Sequence, residues 1–129
     1  MDTTEKVSVN MNVGTLSQID LLVEQGFYSN RSDFINQAVR EALSQKQASI
    51  DAEREKYDNR DFIWFLGVCR LQAHELLQMK ESGRKKRIHG YGILYIHESL
   101  DSLVLETIEE IDVKGKVLCS ARIREHFEC

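Results

Sequence analysis

The chain has 129 residues, 42% of them apolar and 29% charged, with a formal net charge of −4. That length allows one ordinary domain or two small ones, and that apolar fraction supports a real core and excludes wholesale disorder. The acidic balance argues against a broadly basic nucleic-acid-binding domain. It is unevenly spread: residues 1–50 and 88–129 carry an excess of acids, and residues 51–87 a small excess of bases, much of it in Arg84-Lys85-Lys86-Arg87. No continuous apolar run is long enough to span a bilayer, and the polar, acidic Met1–Glu5 does not read as a signal peptide. Cys69, Cys119 and Cys129 are scattered without metal-type pairing, so reduced thiols and a cytoplasmic location are expected.

Residues 1–5 are expected to form a mobile arm. From Lys6 to Asn12 the chain alternates strictly, with Val7, Val9 and Met11 on one side and Lys6, Ser8 and Asn10 on the other. A single strand can neither bury its apolar side nor satisfy its backbone donors, and no other strand signal lies nearby. The expected partner is the same strand of a second molecule, paired antiparallel about a dyad. A first helix is predicted from about Val13 to Gln25, with Leu16, Ile19, Leu22 and Val23 as its apolar stripe. Gly26 suits the left-handed position past a helix end, and Phe27 is expected to turn back into the dimer core. Ser29 is the expected N-cap of a second helix, whose buried stripe is Phe34, Ile35, Ala38, Val39, Ala42 and Leu43.

Residues 45–61 are highly polar and read as a solvated helical linker. Phe62-Ile63-Trp64-Phe65-Leu66 opens an apolar block in which a helical pattern runs through Leu71, Leu76, Leu77 and Met79 to Gly83, suited to a core or an oligomer contact. Arg87 to Ile96, with Gly90 and Gly92, reads as a strand pair or one bent strand. Leu100 to Ile111 reads as a short helix with Leu103, Val104, Thr107 and Ile108 inward. Val113 to Ser120 is expected as a second strand, and Ala121 to Glu128 as a closing helix. Ile88-x-Gly90 and Val113-x-Gly115 suggest a weak internal repeat. The expected fold class is α+β, divided into residues 1–44, a linker over 45–61, and a C-terminal oligomerisation or sensing domain over 62–129.

The strand, the two helix stripes, the Gly26-Phe27 turn and the run Ser29-Asn30-Arg31-Ser32-Asp33-Phe34-Ile35 occur in an order that resembles the ribbon-helix-helix family of DNA-binding proteins, of the Arc, MetJ and CopG kind. The resemblance covers residues 6 to about 44 and leaves the rest unassigned. Asn12 departs from it, standing where members often carry proline. It implies an intertwined homodimer acting as a sequence-specific transcriptional repressor on double-stranded DNA. A two-stranded ribbon fits the major groove, so Lys6, Ser8 and Asn10 are the candidate base contacts. Ser29, Asn30 and Arg31 lie at a helix N-terminus suited to a phosphate, where the family resemblance also places a backbone clamp. Arg84, Lys85, Lys86 and Arg87 are candidate auxiliary phosphate contacts, or alternatively a solvated helix cap.

Nickel-responsive members of that family set a His-x-His pair near a Cys. Here His74, His89, His97 and His126 do not repeat that spacing, so no metal and no cofactor are expected. No glycine-rich phosphate loop, nucleophile elbow or catalytic pairing is present, so no enzymatic activity is expected. Higher oligomers through the C-terminal region and an unknown effector are expected partners, and a membrane is not. Two other readings share the same N-terminal module: an antitoxin whose tail inhibits a toxin, and a structural protein that uses the module only to dimerise.

Overall fold

The computed structural model describes residues 4–129, so the arm expected over residues 1–5 lies outside the described residues except for Thr4 and Glu5. The chain divides into two compact units, Met1–Asp51 and Ala52–Cys129.

In the first unit, residues 4–12 pair with no strand among the described residues. Helix α1 (Val13–Glu24) starts where the Asn12 side chain accepts a hydrogen bond from the Gly14 backbone N–H at 2.8 Å. It ends at Gly26, whose φ of +87° lets the chain reverse, with the Phe27 N–H returning to the Leu22 carbonyl. Helix α2 (Arg31–Gln45) follows, and Tyr28 meets Phe34 edge-on at its start. The packing of this unit is incomplete. Ile19 is buried, and Leu16, Leu22, Val23 and Phe34 are half-buried. Val7, Val9, Val13, Phe27, Ile35, Val39 and Leu43 are exposed, Val7 and Val9 by 78% and 74%. The Phe27 ring, expected in a dimer core, is therefore wet in the single chain. Helix α3 (Gln47–Lys56) takes up most of the polar segment, and its residues are exposed or at most half-buried.

The second unit is a β-α-β-α-β-α succession. Strand β1 (Phe62–Arg70) leads to helix α4 (Ala73–Ser82), strand β2 (Lys86–Tyr95), a 3₁₀ turn (Glu98–Leu100), helix α5 (Asp101–Thr107), strand β3 (Ile108–Leu118) and helix α6 (Ala121–Phe127). The three strands are parallel in the order β1-β2-β3. Short helical crossovers between neighbouring parallel strands keep the chain local, and consecutive crossovers of one hand put their helices on one face. Phe65, Ile88, Leu94, Ile111 and Val117 from the strands meet Leu76, Met79, Val104 and Ile123 from the helices in a single core.

Two expectations are corrected. The block from Phe62 to Met79 is not one helix: Phe62–Arg70 is a strand, and the helix begins only at Ala73. Strands of parallel sheets read as unbroken apolar runs, which periodicity cannot separate from a buried helix. The helix read over Leu100–Ile111 stops at Thr107, and β3 begins at Ile108, ahead of the expected Val113.

The glycine repeat is present, but its alignment differs from the one expected. Gly92 is in register with Gly115, while Gly90 faces Val113, and Gly67 of β1 supplies a third copy. Gly67, Gly92 and Gly115 thus stand side by side across the sheet with φ of +106°, +128° and +146°. A Cβ on Gly92 would lie 1.9 Å from the Gly67 carbonyl oxygen, and one on Gly115 2.0 Å from that of Gly92. Gly92 and Gly115 are each required by a neighbouring carbonyl as well as by their own backbone angle, whereas Gly67 is required by its angle alone.

Candidate nucleic-acid interface

Lys6, Ser8 and Asn10 are all exposed, as are the apolar residues between them. Nothing in the single chain separates a reading face from a buried one, because that distinction needs a second strand. What the chain does fix is the entry to α2. Asn30, not Ser29, is its N-cap: its side chain accepts from the Asp33 N–H at 2.8 Å. Asp33 in turn accepts from the N–H of Ser29, the residue before the cap, at 3.0 Å, which ties the entering chain to the first turn. The signal in the sequence is Asn30-x-x-Asp33, one residue after the expected cap at Ser29. The N–H groups of Arg31 and Ser32 lie in the first turn of α2, where a helix supplies no intrahelical acceptor.

The Arg31 guanidinium is held by Asp20 of α1, through Nε at 2.8 Å and Nη2 at 2.9 Å. This fork-on-fork pair joins the two helices and draws the arginine charge toward a carboxylate. Neither residue signalled the other in the sequence, because they lie on different helices. The Arg31 hydrogen bonds hold the Asp20 carboxyl below its usual range, and Arg31 is raised in turn. The Ser29 N–H, then the Gln37 amide, hold Asp33 low as well.

A pKa lowered by folding stabilises the folded state above the unfolded value of 3.8 and ceases to do so as pH falls through the lowered value. Asp20→Asn should therefore melt below wild type near about pH 7, and the gap should narrow at about pH 3, below the unfolded value, as the carboxylate begins to be protonated. Circular dichroism melts at both pH values check this, and an unchanged gap would show that the Asp20 charge is unimportant.

In the second unit, the basic run bridges α4 and β2. Arg84, Lys85 and Arg87 are exposed and Lys86 is half-buried. Arg87 is paired with Glu109 at 3.4 Å and with Glu110 at 3.9 Å. The histidines are dispersed in their contacts. His89 Nδ1 lies 3.0 Å from Asp112 Oδ2 with Tyr57 stacked on its ring, His97 Nδ1 accepts from the Ser99 N–H, and His126 packs on Phe127. Among the described residues, no group of three or more His, Cys, Asp or Glu side chains is placed to hold a metal ion. No helix among them is long and apolar enough to cross a membrane.

A family model for ribbon-helix-helix transcriptional regulators matches residues 2–124, nearly the whole chain and well beyond the N-terminal third that suggested it. A Rhizobium rhizogenes protein named "Putative nickel-responsive regulator" is 27% identical over 60 residues, which is 46% of this chain and 41% of that one. An uncharacterized protein of Methanocaldococcus jannaschii is 33% identical over 52 residues, or 40% of this chain and 54% of its own. The chain thus spans about half the length, or less, of these curated relatives. No solved structure matches.

Proposed function

Because the chain belongs to the ribbon-helix-helix transcriptional regulator family, whose members bind DNA and are typically dimers, we propose that it is a homodimeric, sequence-specific repressor. Residues 6–12 of two copies pair as an antiparallel ribbon that enters the major groove of double-stranded DNA. Lys6, Ser8 and Asn10 read base edges there. Ser29 and Asn30 flank a phosphate at the start of α2. Arg31 contributes its backbone N–H, its guanidinium being taken by Asp20. Arg84 and Lys85 are the members of the basic run available for auxiliary phosphate contacts.

The observation that carries this reading is the exposed apolar set of the first unit. Val7, Val9, Val13, Phe27, Ile35, Val39 and Leu43 are too many to leave in water on so small a unit. They are also the residues that a second copy of the strand and helices would cover. A fragment ending near Gln47 is expected to dimerise, as sedimentation equilibrium would show, and a folded monomer at micromolar concentration would overturn the intertwined ribbon.

For the second unit, the reading is assembly of dimers into higher oligomers, or the sensing of an effector. Leu66, Val68, Tyr91 and Leu118 are exposed at strand positions that alternate with the core residues, on the sheet face turned away from α4, α5 and α6. Parallel sheets ordinarily have both faces covered. Histidine positions give no support for carrying a relative's nickel response over to this chain.

A further inference from the structure

The second unit makes one pairing twice. Gly67 of β1 stands opposite Gly92 of β2, and Gly92 opposite Gly115 of β3. In both pairs the carbonyl of one glycine occupies the place where the next would carry a Cβ. The ladder ends differently on its two sides. A Cβ on Gly67 would meet nothing within 4 Å, so the place that a carbonyl fills on β2 and β3 is open on β1. The carbonyl at the other end, that of Gly115, faces outward. The Leu118 carbonyl turns to β2, where it accepts from the Ile96 N–H. Backbone groups alternate sides along a strand, so the odd-numbered residues of β3 turn theirs to its free edge. The Val117 carbonyl confirms this, accepting there from Arg124 Nη2 at 2.8 Å, with a second lone pair to spare. On β1 the Asp61 carbonyl and the Leu71 N–H turn to β2, which leaves the even-numbered residues facing out.

We propose that the second units of different copies join edge to edge, β3 of one against β1 of the next, in parallel and with Gly115 opposite Gly67. The proposal rests on the reading of this unit as an assembly unit and names the surface and the partner. Both edges lie open: residues 62–66 line a cleft of about 630 Å³, and residues 111–113 and 115–118 one of about 450 Å³. Successive residues of a strand point to opposite faces, so such runs share a cleft only along an edge. Protected edges carry lysine, proline or inward charges, yet from Phe62 to Cys69 β1 has no charge and no proline.

The glycine register fixes what meets across the junction. The odd-numbered backbone groups of β3 fall between the even-numbered ones of β1, the phase that parallel pairing needs. Ile111, Val113 and Val117 come opposite Ile63, Phe65 and Cys69 of the next copy, so the apolar core layer continues from one unit into another. On the other face Lys114 and Lys116 come opposite Leu66 and Val68, both exposed in the single chain, and lysine stems cover such side chains while the ammonium stays wet. Asp112 comes beside Trp64, whose buried indole N–H has no hydrogen-bond partner among the described residues. The contact is heterologous, so it builds a closed ring or an open row of copies.

The test uses the full chain. Light scattering should give a mass above that of a dimer. Leu66→Cys and Lys114→Cys proteins, each matching wild type by circular dichroism, are mixed dilute, concentrated and oxidised, and their tryptic peptides are weighed and fragmented. The expected product is a disulfide between position 66 of one protein and position 114 of the other, absent when either is oxidised alone. Fragmentation separates position 66 from Cys69 on the same peptide. Two further variants read the charge across the junction: Leu66→Lys, set against Lys114 of the next copy, should reduce the mass to that of a dimer, and Leu66→Glu should keep it high. Bonds joining position 66 only to position 66 would mean that two β1 edges pair about a two-fold axis, and would overturn the proposal. A mass above a dimer with no bond between positions 66 and 114, or equal masses for the two charged variants, would overturn it and leave assembly through another surface. A wild-type mass no greater than a dimer would overturn the assembly reading as well.

Discussion

In a selection from random DNA, Asn10→Ala protein is expected to lose its preference at one base of each half-site, because alanine cannot make the paired hydrogen bonds that an asparagine amide makes with adenine. The cost is about 1–3 kcal/mol per half-site, so about 2–6 kcal/mol for a symmetric site if the two copies act independently. Lys6→Ala should weaken binding and, if the lysine meets a phosphate, lower the salt dependence by about one unit. Val9→Ala is the informative contrast. Its side chain is 74% exposed in the single chain, so on that chain alone its removal should be almost neutral. If a partner strand and helices cover it, the loss should instead be about 1 kcal/mol or more of stability, with sequence preference unchanged in the folded fraction. Motif selection and thermal melting on the three variants decide the matter. If Asn10→Ala keeps the wild-type motif and affinity while Val9→Ala changes the motif, the strand faces the other way.

Gly92→Ala should give a large loss of stability in the second unit. The added Cβ meets the Gly67 carbonyl oxygen at 1.9 Å, and that atom belongs to the backbone of a paired strand, so it cannot rotate aside. To this clash is added the strain of a side chain at a φ of +128°. Together these should cost about 2–6 kcal/mol. Gly83→Ala separates the two causes. Gly83 also has a positive φ, +71°, but a Cβ there meets nothing within 4 Å. It should therefore cost only the backbone strain, about 1 kcal/mol. Denaturant unfolding of both variants measures the difference, and equal losses would mean that the ladder contact contributes nothing.

The two glycine positions also show how far the sequence could be read. Gly83 after α4 and Gly26 after α1 announce helix ends through local geometry, and both were legible as breaks in a pattern. The repeat was visible too, but matching Gly90 with Gly115 was natural in one dimension and wrong in three. Only the pairing of β2 with β3 shows that Gly92 is the true counterpart, and only β1 reveals Gly67 as the third member.

What the sequence by itself determined is what depends on neighbours a few residues away. The alternation of Val7, Val9 and Met11 with Lys6, Ser8 and Asn10, the stripes of α1 and α2, and the Gly26-Phe27 turn between them fall in that class, and they were enough to suggest the family. Tertiary structure decided the rest. Phe62–Leu66 could be helix or strand until β2 was there to pair with it, since an unbroken apolar run has no period of its own. Asp20 and Arg31 meet only because the turn between α1 and α2 returns the chain on itself. Such contacts are fixed by the geometry of intervening elements, and that geometry leaves no mark on the residues that meet.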